Sequence, residues 1–119
     1  VIVARALCQL INVEDGWLLL DEPTSSLDVA NSLILMETLL QATRAQSLHT
    51  VVVLHDLNLA ARFANQIWLL RDGRIRARGV PGESLTEASI METFGIASYV
   101  SSHPVDQNPV VIPTRTHTT

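Results

Sequence analysis

Two adjacent carboxylates, Asp21 and Glu22, follow the apolar run Trp17-Leu18-Leu19-Leu20 and precede Pro23 in a chain of 119 residues. Side chains alternate along a strand, so a pair delivered to its carboxyl end can divide two tasks. Asp21 offers a hard oxygen to Mg²⁺, directly or through a metal-bound water. Glu22, pointing differently, can orient and deprotonate a water that attacks a phosphate. Pro23 has no N–H to add to a ladder and ends the strand. His55 closes a second apolar run, Thr50 to Leu54, where an imidazole can bond a developing phosphoryl oxygen and hold that water in line. Taken singly, an acidic pair commonly does no more than solvate a strand end, and a lone histidine commonly belongs to a loop. What favours the chemical reading is the whole set of motifs in order along the chain.

The elements that must position them follow from periodicity and turn signals. Val1 to Ile11 reads as a largely buried helix and Asn12 to Gly16 as a polar loop. Trp17 to Leu20 reads as a strand buried on both faces. Thr24 to Asp28 is a polar turn, with Asp28 able to cap a helix whose stripe is Val29, Leu33, Met36 and Leu40. Gln41 to His49 reads as polar and exposed, and Thr50 to Leu54, rich in valine, as a second buried strand. Leu57, Ala60, Ala61 and Ala64 mark a short helix; Gln66 to Leu70 is a third strand. Asp72-Gly73 is a tight-turn signal that returns Arg74 to Gly79 as a hairpin partner, with Arg74, Arg76 and Arg78 on one solvated face. Ser84 or Thr86 can cap a helix running to Phe94, stopped by Gly95. Beyond Ser101, Pro104, Pro109 and Pro113 exclude regular structure apart from a short extended piece at Val110 to Ile112, and the end is expected to be mobile. Strands alternating with helices imply an α/β fold with a parallel sheet. The short connection between the first two strands makes them neighbours. Asp21, Glu22 and His55 then converge beyond the strands' carboxyl ends, where such sheets bind ligands.

Composition narrows the class. Apolar residues make up 47% of the chain, enough for a core, but no apolar run approaches a membrane span. Net charge is −4, from 8 arginines against 12 carboxylates, which argues against nucleic acid as a partner. There is no lysine anywhere, so the usual phosphate-gripping lysine is missing. Cys8 reads as a small buried helix residue, Trp17 and Trp68 as core or rim packing, and His49, His103 and His117 as too scattered for a metal site. The chain begins without Met inside a helical pattern and reads as a fragment.

Leu18-Leu19-Leu20-Asp21-Glu22-Pro23-Thr24 resembles the Walker B motif of the ATP-binding cassette (ABC) ATPases, and Ser25-Ser26-Leu27-Asp28 resembles their D-loop. Leu54-His55-Asp56 is similar to their switch-histidine loop, Val1 to Leu7 to the helix after their signature motif, and Leu69 to Ile75 with Gly79 to their closing hairpin. The resemblance runs from Val1 to about Phe94 in order and spacing. It implies the C-terminal half of a P-loop-type nucleotide-binding domain over residues 1–97, with a mostly parallel sheet and a closing hairpin, and a partly mobile extension over 98–119.

On that resemblance Asp21 is the Mg²⁺ residue, Glu22 the catalytic base, and His55 the γ-phosphate sensor. Asp21, Glu22 and His55 together face the ATP, and Asp28 lies at a dimer interface. The family's glycine-rich phosphate loop, glutamine loop and signature motif are absent from this chain, which is therefore expected to be inactive alone. Implied partners are a second ATPase subunit and transmembrane permease subunits, at the cytoplasmic face of the inner membrane. The stretch from His55 to Ala64, the segment from Pro81 to Thr86 and the tail from His103 to Pro113 resemble importers of iron complexes, haemin foremost, then siderophores and cobalamin. A non-catalytic interaction fragment is the alternative.

Overall fold

A computed structural model describes residues 15–116. The expected helix over Val1 to Ile11, with Cys8, lies outside the described residues, as does His117. The chain divides into two compact units, Val1–His55 and Asp56–Thr119.

In the first unit, β1 (Trp17–Asp21) leads through α1 (Val29–Ala45) to β2 (His49–Val53), and the strands pair in parallel from Trp17↔His49 to Asp21↔Val53. Asp28 caps α1, its carboxylate accepting from the Asn31 N–H at 2.8 Å. The helix extends to Ala45, into the stretch expected to be polar and exposed, and the chain turns back at Ser47, whose φ is 52°. This places Leu48 in the interior rather than in solvent. Met36 and Leu39 are the buried helix residues, whereas Val29, the first of the expected stripe, is exposed.

The strands are covered on one face only, against the expectation of burial on both. Leu18 is 4% exposed, but Leu19 is 72% exposed, and Trp17, Val51 and Val53 lie open beside it. The pleat accounts for this. Leu18↔Thr50 and Leu20↔Val52 share the covered face, where Thr43 of α1 hydrogen-bonds Thr50 at 2.7 Å. Trp17↔His49, Leu19↔Val51 and Asp21↔Val53 share the open one. Trp17 stacks on His49 there instead of packing in a core.

The second unit comprises α2 (Leu57–Phe63), β3 (Ile67–Arg71), β4 (Arg74–Gly79), α3 (Pro81–Ser84), α4 (Glu87–Phe94), β5 (Ile96–Ser102) and β6 (Pro109–Thr116). Asp72 and Gly73 turn β3 into β4 with positive φ at both positions, as the turn signal requires. A register irregularity between Leu69 and Leu70 breaks the expected arginine alternation: Arg76 is half-buried and pairs with Glu92 at 3.8 Å, while Ile75 is exposed. Trp68 is exposed as well. Thr86 and Ser89 form a capping box on α4, and Gly95 ends the helix at φ 69°.

The tail departs most from expectation. β5 and β6 form a regular antiparallel hairpin despite three prolines. Pro104 sits in its turn, Pro109 opens β6, and Pro113 lies opposite Ser98, beside a register irregularity. Each strand of a two-stranded hairpin keeps one unpaired edge, which spares the prolines' missing N–H. The core of this unit is Ala61, Ile67, Leu69, Leu85, Ile90 and Val111, so β6 contributes to it directly.

The α/β class is as expected. Of the three small sheets among the described residues, one is parallel and two are antiparallel. The closing β3–β4 hairpin is as expected, and the β5–β6 hairpin of the tail adds the second antiparallel pair.

Candidate functional site

The parallel ladder continues one residue past β1: the Glu22 N–H donates to the Val53 carbonyl at 2.8 Å. That bond fixes Glu22 beside the end of β2, two residues before His55. Glu22 then leaves the strand at φ 49°, in the left-handed region. Residues with long side chains enter it at a cost of about 1–2 kcal/mol. The turn beyond it is closed by Ser25 N–H to the Glu22 carbonyl at 3.2 Å and Leu27 N–H to the Thr24 carbonyl at 3.1 Å.

The outcome is a direct hydrogen bond between Glu22 Oε1 and His55 Nε2. The Glu22 side chain is 40% exposed and that of His55 is 78% exposed, so the pair faces solvent. With neutral imidazole, Nε2–H donates to the carboxylate and Nδ1 keeps its lone pair; with imidazolium, the contact is a charged pair. Either way the carboxylate retains unshared lone pairs for a water.

Asp21 occupies the same strand end on the open face. It borders a shallow groove lined by Leu19, Leu20, Val51 and Val53, whose apolar floor sequence reasoning missed by treating the strands as doubly covered. Its carboxylate chemistry suits a hard cation. The structure therefore brings Glu22 and His55 into contact and sets Asp21 beside them in the ladder. Asp28 lies at the far end of the turn, with Oδ1 engaged in capping α1. Among the described residues of this unit the one arginine is Arg44, in the last turn of α1. Since β2 begins just after that turn, Arg44 stands at the opposite end of the strands from Asp21. Among the described residues this strand end offers one carboxylate suited to a divalent cation and another to a water, with no cationic side chain of the unit beside them.

No protein-family model matches the chain. It is 42% identical over 114 residues to the hemin import ATP-binding protein HmuV of Rhizobium johnstonii, a match covering 92% of this chain and 43% of that protein. The HmuV of Rhodopseudomonas palustris is 45% identical over 114 residues, covering 92% and 42%. An ABC transporter ATP-binding protein of Methanocaldococcus jannaschii is 40% identical over 113 residues, covering 95% and 42%. Among solved structures, a metal-chelate type ABC transporter in an inward-facing conformation matches with a TM-score of 0.72 and 26% identity, over 83% of this chain and 40% of that one. The chain spans less than half the length of these relatives. In sequence and in fold it corresponds to part of an ABC transporter ATP-binding subunit, similar to those of hemin and metal-chelate importers.

Proposed function

We propose that this chain supplies the hydrolytic side of the ATP site in an ABC ATPase that energises import of haemin or a similar iron complex. The observation that carries the reading is the Glu22–His55 hydrogen bond at the carboxyl end of two adjacent parallel strands. Glu22 accepts the proton of the attacking water, and His55 holds that carboxylate in place and completes the water's orientation. Asp21 is the residue that would hold Mg²⁺, which when bound neutralises phosphate charge. Asp28, besides capping α1, would face a second copy of the subunit. Transmembrane permease subunits would be driven by closure of that pair at the cytoplasmic face of the inner membrane. Haemin is favoured over siderophores and cobalamin by the hemin importers among the relatives.

The test places residues 15–116 in the corresponding region of the Rhizobium johnstonii relative. The chimera is expected to hydrolyse ATP with Mg²⁺. Glu22→Gln in it should lose turnover by about 10²-fold or more while retaining nucleotide. The 119-residue chain alone should show no turnover. A chimera whose Glu22→Gln variant hydrolyses ATP undiminished would refute the assignment.

A further inference from the structure

Two residues of α2 reach the C-terminal hairpin, and their spacing of four places them on one helix face. Asn58 bonds the Val111 backbone through both halves of its amide, donating to the carbonyl at 3.1 Å and accepting from the N–H at 2.6 Å. Arg62, one turn on, meets His103 at the start of the hairpin's turn, with Arg62 Nη1 3.2 Å from His103 Nε2. On its other side the same ring has Nδ1 3.1 Å from the Val105 N–H and 3.6 Å from Asp106 Oδ1.

Both ring nitrogens therefore face an obligatory donor, a guanidinium at Nε2 and a backbone N–H at Nδ1. Neutral imidazole has one lone pair to offer, so it serves one of the two in either tautomer. Imidazolium serves neither: it sets a second positive charge against Arg62 and leaves the Val105 N–H without its acceptor. The charged groups facing the ring are Arg62 from α2 and Asp106 from its own turn, and of these Asp106 alone favours the protonated form.

We propose that His103 is a proton-operated latch: neutral, in the tautomer whose Nε2 lone pair faces Arg62, it holds the turn of residues 103–108 against α2, and protonated, it lets that turn go. The release is local. The Asn58–Val111 pair contains no group that titrates near neutrality, so β6 stays on α2 while the turn detaches. Asp106 remains ionised through the range in which histidines titrate, because the Asn108 backbone N–H and then the charge of His103 hold its carboxyl below the usual range. Release leaves the turn with a His103–Asp106 pair and α2 with an unpaired Arg62 guanidinium.

Hydrogen–deuterium exchange on the full chain, at about pH 5.5 and about pH 7.5 and corrected for intrinsic rates, reads this directly. The turn amides should lose about threefold to fivefold of their protection at the lower pH, while those around Val111 keep theirs. The difference between the two pH values should vanish in His103→Gln, which keeps an acceptor and cannot titrate. Arg62→Met should exchange rapidly in the turn at both. Equal protection of the wild-type turn at the two pH values overturns the proposal even if a variant does not fold. So does a pH difference that persists in His103→Gln.

Discussion

Glu22 carries its carboxylate on a backbone that resists it, and the size of that resistance can be measured. Its φ of 49° lies where a Cβ crowds the following carbonyl. Glu22→Ala and Glu22→Gly both delete the carboxylate and its bond to His55, a solvent-facing contact worth about 0–1 kcal/mol that cancels between them. They differ in the Cβ. Alanine retains a left-handed penalty of about 1–2 kcal/mol, while glycine escapes it and forfeits about 0.5–1 kcal/mol of extra unfolded-chain entropy. The glycine variant should therefore be the more stable by about 0.5–1 kcal/mol, the reverse of the ordinary preference for alanine. With a urea dependence of about 1.5 kcal/mol/M, the midpoints should separate by about 0.3–0.7 M. In a Trp68→Phe background the remaining tryptophan, Trp17, stacks on His49 across the β1–β2 ladder and reports unfolding of that unit. If Glu22→Ala unfolds at the same or higher urea than Glu22→Gly, no strain resides at Glu22.

Two further outcomes concern the second unit. Asn58→Ala strands a backbone N–H and a carbonyl on Val111, a core residue, and should lower stability by about 2–3 kcal/mol in urea unfolding. Asn58→Asp, which keeps only the acceptor, should recover part of that loss. Asp106 has its carboxyl held low in the folded chain, first by the Asn108 backbone N–H, so its stabilising effect is present above the ordinary carboxylate range and fades as pH falls through the lowered value. Asp106→Asn should accordingly flatten the acid limb of the unfolding midpoint plotted against pH, leaving the neutral region shifted by a constant amount.

What the sequence discloses is what short-range chemistry decides. Asp28 and Thr86 cap the helices that follow them, and Asp72-Gly73 and Gly95 take the positive φ their types announce, because each is settled within four residues. Glu22 and His55 meet because parallel strands joined by one crossover helix end side by side, which a strand–helix–strand pattern already implies. The misreadings arise where the outcome depends on distant neighbours. The run Trp17 to Leu20 is apolar throughout, so its pattern cannot disclose that α1 covers one face and leaves the other open. The tail prolines read as breakers because their harmlessness depends on a pairing partner some 15 residues away, as with Pro113 opposite Ser98. His103 looked isolated in sequence, since the residue it meets, Arg62, lies 41 positions earlier. Nothing in glutamate's type signals the left-handed backbone of Glu22.

The charge distribution of the first unit bears on which half of the proposed hydrolytic reaction it would serve. At the carboxyl end of β1 and in the turn after it lie Asp21, Glu22 and Asp28, while the described cation of that unit, Arg44, stands at the other end of the strands. Three carboxylates without a fixed positive charge repel a polyphosphate, a repulsion that water and salt screen at this exposed strand end. A divalent ion on Asp21 would reduce that repulsion without replacing the directed N–H groups that give phosphate loops their grip. A carboxylate left free of a fixed cation keeps its lone pairs for the proton of a water. Adding lysine to this end, for instance by Ser26→Lys, would ease phosphate approach but set a competing cation beside the carboxylate that is to meet the water. That opposition is a physical reason for an ATPase to keep its gripping and its proton-accepting groups on separate elements.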